Sequence, residues 1–186
     1  PIDLSTASIP TVAEAAKQAR RLVLSEPVGT LSTVFPEGNT HGLAGLPIGL
    51  MDYHADCSAT GDPTLLGMGI ATSFRNALPT NSSISLSVRE HAPRMFSPVA
   101  HPRVSLIGKL VKIPDEDETE KERVKRCFVK RHPDAMRWTP GNKIHDSFWV
   151  RFEVEKVYWV GGFGNVAYIG WIPIELYHGV EPGEAD

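Results

Sequence analysis

Residues 83–88 place Ile84, Leu86 and Val88 on one side of an extended chain and Ser83, Ser85 and Ser87 on the other. A two-residue period of this kind belongs to a strand buried on one face. The same period runs through residues 148–160, where Phe148, Val150, Phe152 and Val154 alternate with Trp149, Arg151, Glu153 and Glu155. Further strands are expected at 28–35, 41–53, 64–72, 104–113 and 166–172, divided by turn-forming stretches such as Pro36-Glu37-Gly38-Asn39. Gly42, Gly45, Pro47 and Gly49 punctuate the second of these. Proline cannot donate to a ladder, so an edge position or a bulge is expected at Pro47.

The period changes to a helical one twice. Val12, Ala15, Ala16, Ala19, Leu22 and Val23 form one apolar stripe behind Thr11-Val12-Ala13-Glu14, a capping box, and Pro27 and Gly29 close the helix. After Pro114, acids at 115–120 precede mostly basic residues at 121–126, the order that suits a helix macrodipole. Val124, Cys127 and Phe128 supply the apolar face of this second helix and Pro133 ends it. Short strands joined by turns, with two main helices, predict a mainly β (α+β) barrel of six to seven strands, its helices against the ends and seams. A length of 186 residues fits one domain over 1–186, with 1–10 and 179–186 expected as flexible tails.

The net charge of −3 has no dominant sign, which argues against a nucleic-acid binder that works through a large positive field. No apolar run is long enough to span a bilayer. Metalloprotease spacings such as HExxH and a CxxC pair are both absent, so no metal site is assigned. Cys57 and Cys127 leave two readings open: two separate thiols, or one disulfide tying the segment after the second strand to the second helix. Asn81-Ser82-Ser83 is a glycosylation sequon, and the chain begins at Pro1 rather than Met. Together these features predict a secretory-pathway protein, secreted or vacuolar/lysosomal.

Gly161-Gly162-Phe163-Gly164 lacks the spacing of a dinucleotide fingerprint and reads as a bulged turn between two strands. Thr72-Ser73-Phe74-Arg75 reads as a capped turn, with Ser73 as cap and Arg75 on the surface. The polar segment 52–57 suits either a ligand contact at a barrel mouth or a loop fastened by Cys57. His132, just before Pro133, is expected to close the second helix.

Residues 127–177 resemble the C-terminal half of the FMN-binding split β-barrel superfamily, the fold of pyridoxamine-phosphate oxidase. More narrowly the chain resembles fungal-type CREG proteins, through Pro47-Ile48-Gly49-Leu50-Met51-Asp52-Tyr53 and Gly170-Trp171-Ile172-Pro173. Arg131-His132-Pro133-Asp134-Ala135 is shared with the HugZ haem-utilisation branch, and Val160 to Gly164 is similar to a motif of that branch. The resemblance implies a split-barrel homodimer with ligand sites between the subunits. It implies FMN as cofactor, with Thr72, Ser73 and Arg75 holding the phosphate and Trp149 stacking on the flavin, although flavin relatives usually carry two cations where this chain has one. The HugZ branch implies haem instead, with His178 as candidate iron ligand. The function expected is that of a secreted CREG-like glycoprotein that acts by binding a small-molecule ligand or a protein receptor. An FMN-dependent oxidoreductase and a haem-binding or haem-degrading protein are the alternatives, which leaves enzyme activity open.

Overall fold

The computed structural model describes residues 8–39, 41–80, 82–91 and 97–181; the sequon asparagine, Asn81, lies outside them. Its seven strands are β1 (Val28–Val34), β2 (Pro47–Ala55), β3 (Thr64–Met68), β4 (Ile84–Arg89), β5 (Arg103–Lys112), β6 (Ser147–Val160) and β7 (Ile169–Ile172). They pair antiparallel in the order β3-β2-β1-β4-β5-β6-β7, and β3 also pairs with β6. That last pairing closes six strands into a barrel and leaves β7 outside the ring. Strand β6 is long enough to serve both neighbours, meeting β3 at residues 147–151 and β7 at 157–160. The described residues also form four α-helices: α1 (Val12–Ser25) before β1, α2 (Thr72–Ala77) after β3, α3 (Glu118–Arg131) after β5 and α4 (Ile174–His178) after β7.

The two-residue period becomes an inside and an outside. Leu31, Leu65, Leu86, Leu106, Val150 and Phe152 are fully buried in the barrel core. In β6 the period breaks once. Ile107 of β5 faces Lys156 but the next residue, Gly108, faces Val154, so Glu155 is an extra residue. The bulge shifts the phase: Val150, Phe152 and Val154 enter the core before it, Val157 and Trp159 after it. Gly108 permits the close approach, because a Cβ there would strike the Glu153 carbonyl oxygen.

The helices follow from their caps and stripes. At α1, the Glu14 amide donates to Thr11 Oγ1 at 3.2 Å and the Thr11 amide to Glu14 Oε2 at 2.7 Å. Ala15, Ala16, Ala19, Leu22 and Val23 then enter the barrel core, the alanines letting the helix lie close. At α3, Asp117 caps the Glu120 amide. Val124 and Phe128 pack outside the barrel on Ala55, Cys57, Leu66 and Trp149, and a Cys57–Cys127 disulfide crosses this layer.

Three expected boundaries move. Strand β2 begins at Pro47 rather than 41, because Gly42 and Gly45 take positive φ (69° and 79°) in a turn closed by the Gly45 amide on the Phe35 carbonyl. Strand β3 stops at Met68, where the Gly69 amide turns to the Asp146 carbonyl and α2 starts three residues later. Strand β7 starts at Ile169, after a 3-10 turn over Gly164–Val166. Order also reaches into the expected C-terminal tail, since Val180 is buried and its carbonyl accepts from Arg20.

Strands β2 and β3 pair only at His54–Leu65 and Ala55–Thr64. Residues 47–53 therefore keep one edge unpaired by β3, and Pro47 sits at the start of that edge. The barrel is split here, beside α2.

Candidate functional site

Helix α2 and the β1–β2 turn enclose a cavity of about 440 Å³, with Phe35 to Asn39 and His41 on one wall and Thr72, Arg75 and Asn76 on the other. The Asn76 side chain is committed to structure, its Nδ2 donating to Thr33 Oγ1 at 3.2 Å. Ala71, not Ser73, occupies the N-cap of α2; Ser73 is buried and lies off the cavity wall. Trp149 is also elsewhere, buried under α3 with its ring 5.2 Å from that of Phe128. The β6 aromatic that meets α2 is its neighbour Phe148, edge-on to Phe74. The structure thus brings Thr72 and Arg75 together and leaves Ser73 and Trp149 apart from them. A phosphate dianion calls for convergent cations and hydroxyls. Here one guanidinium shares the cavity with the Glu37 carboxylate. This cavity offers one guanidinium and the Thr72 hydroxyl, fewer cations than the two usual in flavin relatives.

A larger groove, about 520 Å³, crosses the outer face of β1, β4, β5 and β6. Its axis is a row of register partners running Met51, Thr30, Ser87, Ser105, Tyr158 and Trp171 across six strands. Met51 is 70% exposed and Trp171 55%. Beside that row lie Arg89, opposite Arg103, and then Val160 and Ile169. Sequence reasoning missed this groove because each residue, alone on its strand, reads as an ordinary solvent-facing alternant. Only the register across strands assembles them.

Segment 52–57 is mainly strand end and fastening. Tyr53 stacks on His132 with centroids 4.3 Å apart and donates to Asp134 at 2.9 Å. His132 closes α3, its backbone amide bonded to the Phe128 carbonyl and its Nε2 to the His54 carbonyl at 2.8 Å. His54 is fully buried. Burial, with the nearby His132 and Arg131, pulls its pKa down to about 4. Burial pushes Asp52 the other way, up to about 6.

These two shifts oppose each other in pH. Between about pH 6.5 and 4 the unfolded chain protonates His54 while the fold keeps it neutral, so its contribution to stability is lost as pH falls. Folded Asp52 keeps its proton in a window where the unfolded chain has released it. Its contribution is present below about pH 4 and lost as pH rises through about 6. In the wild-type protein these two contributions are therefore expected to offset each other from about pH 4 to 6. Asp52→Asn should unmask the histidine and lose about 2–3 kcal/mol between pH 6.5 and 4, at about 1.4 kcal/mol per unit. Urea midpoints of variant and wild type across that range check this; a difference between the two that does not change with pH refutes it.

His178 ends α4 beside Asp62, whose Oδ1 lies 3.4 Å from its Nε2, and it lines neither cavity above. Among the described residues no cluster of three His, Cys, Asp or Glu is placed to hold a metal, and no helix is long and apolar enough to cross a membrane. The Gly161–Gly164 stretch forms the β6–β7 connection, closed by the Gly161 amide on the Tyr168 carbonyl at 2.9 Å. Phe163 projects from it, 72% exposed.

The fold is similar to that of a haem-binding protein from Mycobacterium smegmatis, with a TM-score of 0.72 and 23% identity over 92% of this chain. This chain spans only 62% of that protein. The haem storage protein HutZ from Vibrio cholerae matches 78% of this chain at TM-score 0.55 and 16% identity, with 89% of its own chain covered. The FAD-binding protein mll6688 from Mesorhizobium loti matches 80% at TM-score 0.54 and 18% identity, with 92% of its own chain covered. No curated protein sequence matches the chain. Residues 10–179 match the family model for the CREG β-barrel, a match that spans the ring of six strands, its seventh strand and all four helices. The chain belongs to the CREG β-barrel family.

Proposed function

We propose that this protein acts by binding a ligand, without redox turnover, as a homodimer of the secretory pathway. The observation that carries the reading is the cavity at α2. Glu37 shares its wall with Arg75, and the hydroxyl of Ser73 is buried away from it. A site built this way offers a phosphate dianion a single guanidinium, with a carboxylate on the same cavity. The disulfide supports an oxidising compartment, and the sequon at Asn81 supports glycosylation there. The uncharged row from Met51 to Trp171, apolar and exposed at both ends, supports face-to-face pairing of two copies, since charge is depleted in the centre of such interfaces.

Purified protein incubated with FMN and then desalted is expected to keep no band at about 450 nm. A retained band that Arg75→Ala removes would replace this reading with a flavin enzyme, and a Soret band after haem addition would favour a haem protein.

A further inference from the structure

We propose that loop 56–62 couples the Cys57–Cys127 disulfide to the docking of the C-terminal segment, so that reduction of the bond by a dithiol undocks residues 174–181 while the barrel stays closed. This device goes beyond the binding function proposed above and does not rest on it.

The loop faces α3 on one side and α1 with the C-terminal segment on the other. It meets α3 through the disulfide and through Arg123, which donates to the Cys57 carbonyl. On the far side, Asp56 Oδ2 faces Arg20 at 3.4 Å and the Ala59 carbonyl accepts from Arg20 at 3.5 Å. The Gly61 carbonyl accepts from the Tyr177 hydroxyl at 3.0 Å. Asp62 Oδ1 stands 3.4 Å from His178 Nε2 and accepts the Val154 amide at 2.9 Å. Cys57 is the one apolar side chain that residues 56–62 bury. Bonds at its two sides, rather than packing, therefore place the loop.

The Asp56 carboxylate supplies the drive for release, because it is held against its own solvation. Burial keeps the Asp56 carboxyl above its usual range even with Arg20 beside it. With the disulfide cut, residue 57 regains its freedom and the Asp56 carboxylate moves toward water. Arg20 then loses its counter-charge and its hold on the Tyr177 and Val180 carbonyls, 3.2 and 3.4 Å away. Helix α4 has five residues, far fewer than an isolated helix needs in water, so it unwinds once undocked. A redox change at one bond thus becomes an order–disorder change at a distant segment.

The chemistry is thiol–disulfide exchange. Cys57 is 4% exposed, whereas Cys127 is half-buried and offers the more open sulfur. One thiolate of the dithiol attacks Cys127 Sγ and the protein S–S bond breaks. Cys57 leaves as a thiolate near Arg123, which already holds its carbonyl. The second thiol of the reductant then attacks its partner sulfur in the mixed disulfide and frees Cys127. The protein gains two electrons and two protons, and the dithiol ends as a disulfide.

The test treats native protein with dithiothreitol and follows amide hydrogen exchange by mass spectrometry, with and without the reductant. The Tyr177 and Gly179 amides bond to the Pro173 and Glu175 carbonyls inside α4. They are expected to exchange about tenfold faster or more after reduction, together with α3, while β1 and β4 stay within about twofold. Cys57→Ala/Cys127→Ala without reductant should show the same pattern. Asp56→Asn, with its disulfide intact before treatment, should cut the response of α4 to about threefold or less and leave that of α3 as in wild type. A loosened α3 with α4 unchanged overturns the coupling. Equal acceleration of β4 replaces it with a general loss of stability. A bond that resists dithiothreitol in the folded protein, read as no alkylation of Cys127, removes the trigger. An α4 response in Asp56→Asn equal to that of wild type removes Asp56 as the link.

Discussion

Replacing Cys57 and Cys127 together by alanine is expected to lower stability by about 4 kcal/mol and to loosen α3 before the barrel opens. The cross-link spans 70 residues, and closing a loop of that length in the unfolded chain corresponds to about 4 kcal/mol. The local effect follows from what the bond fastens. Helix α3 lies outside the barrel and buries chiefly Val124 and Phe128, in a cluster separate from the main core. Two such side chains contribute about 1.5–3 kcal/mol each. The ordering entropy of a 14-residue helix exceeds that. Its caps, its Arg123 bond to the Cys57 carbonyl and the disulfide offset part of that deficit. Trp149 lies beneath this helix, so its fluorescence should report exposure at a lower urea concentration than the far-ultraviolet signal of the sheet. Coincident transitions, or a loss below 1 kcal/mol, would show that α3 docks without the bond. Non-reducing peptide mapping of the native protein should give one linked pair and no alkylatable thiol.

Local chemistry carried much of the fold to the surface of the sequence. The capping box at Thr11 and Glu14, the serine alternation of β4 and the acid-to-base order of α3 each depend on neighbours a few residues away, and each forms as read. The boundaries that moved depend on distant partners. Gly42 and Gly45 read equally as bulges or turns until the Phe35 carbonyl claims the Gly45 amide. Helix α2 has six residues and no side-chain cap, too short to show a period, and it forms because Phe74 and Ala77 plug the core. The bulge at Glu155 is set by the approach of Gly108 from another strand. The site residues divide in the same way. Thr72 and Arg75 fall together because one helix carries both, whereas which face Trp149 presents was decided by α3 packing outside the barrel. The pairing of Arg89 with Arg103 exists only in the register.

Arg20→Met should cost about 3–5 kcal/mol, and Asp56→Asn in the same chain should recover a large part of it. Arg20 is 1% exposed, yet carries a charge between α1, the 56–61 loop and the C-terminal segment. Its guanidinium donates to the carbonyls of Tyr177 at 3.2 Å, Val180 at 3.4 Å and Ala59 at 3.5 Å, and meets Asp56 Oδ2 at 3.4 Å. It also lies over the Tyr177 ring, whose hydroxyl donates to the Gly61 carbonyl at 3.0 Å. Gly61 takes φ +79°, and a Cβ there would run into the guanidinium, so loop and cation fit only each other. Methionine fills much of the volume but leaves three carbonyls short of a donor and a carboxylate buried without its cation. Breaking one side of a buried pair costs about 3–5 kcal/mol, most of it from the stranded charge. Burial already holds the Asp56 carboxyl above its usual range, with Arg20 the main opposing influence. Without Arg20 it rises further, and the folded state of the variant takes a proton. A raised carboxyl pKa gives stability that is present at low pH and lost as pH rises. Arg20→Met should therefore stand closer to wild type at pH 5 than at pH 7, while Arg20→Met/Asp56→Asn should lose that dependence. Urea unfolding of the three proteins at both pH values decides it: a single variant within 1 kcal/mol of wild type, or a double variant no better than the single, would place the stabilisation in the apolar stem of Arg20 instead of its charge.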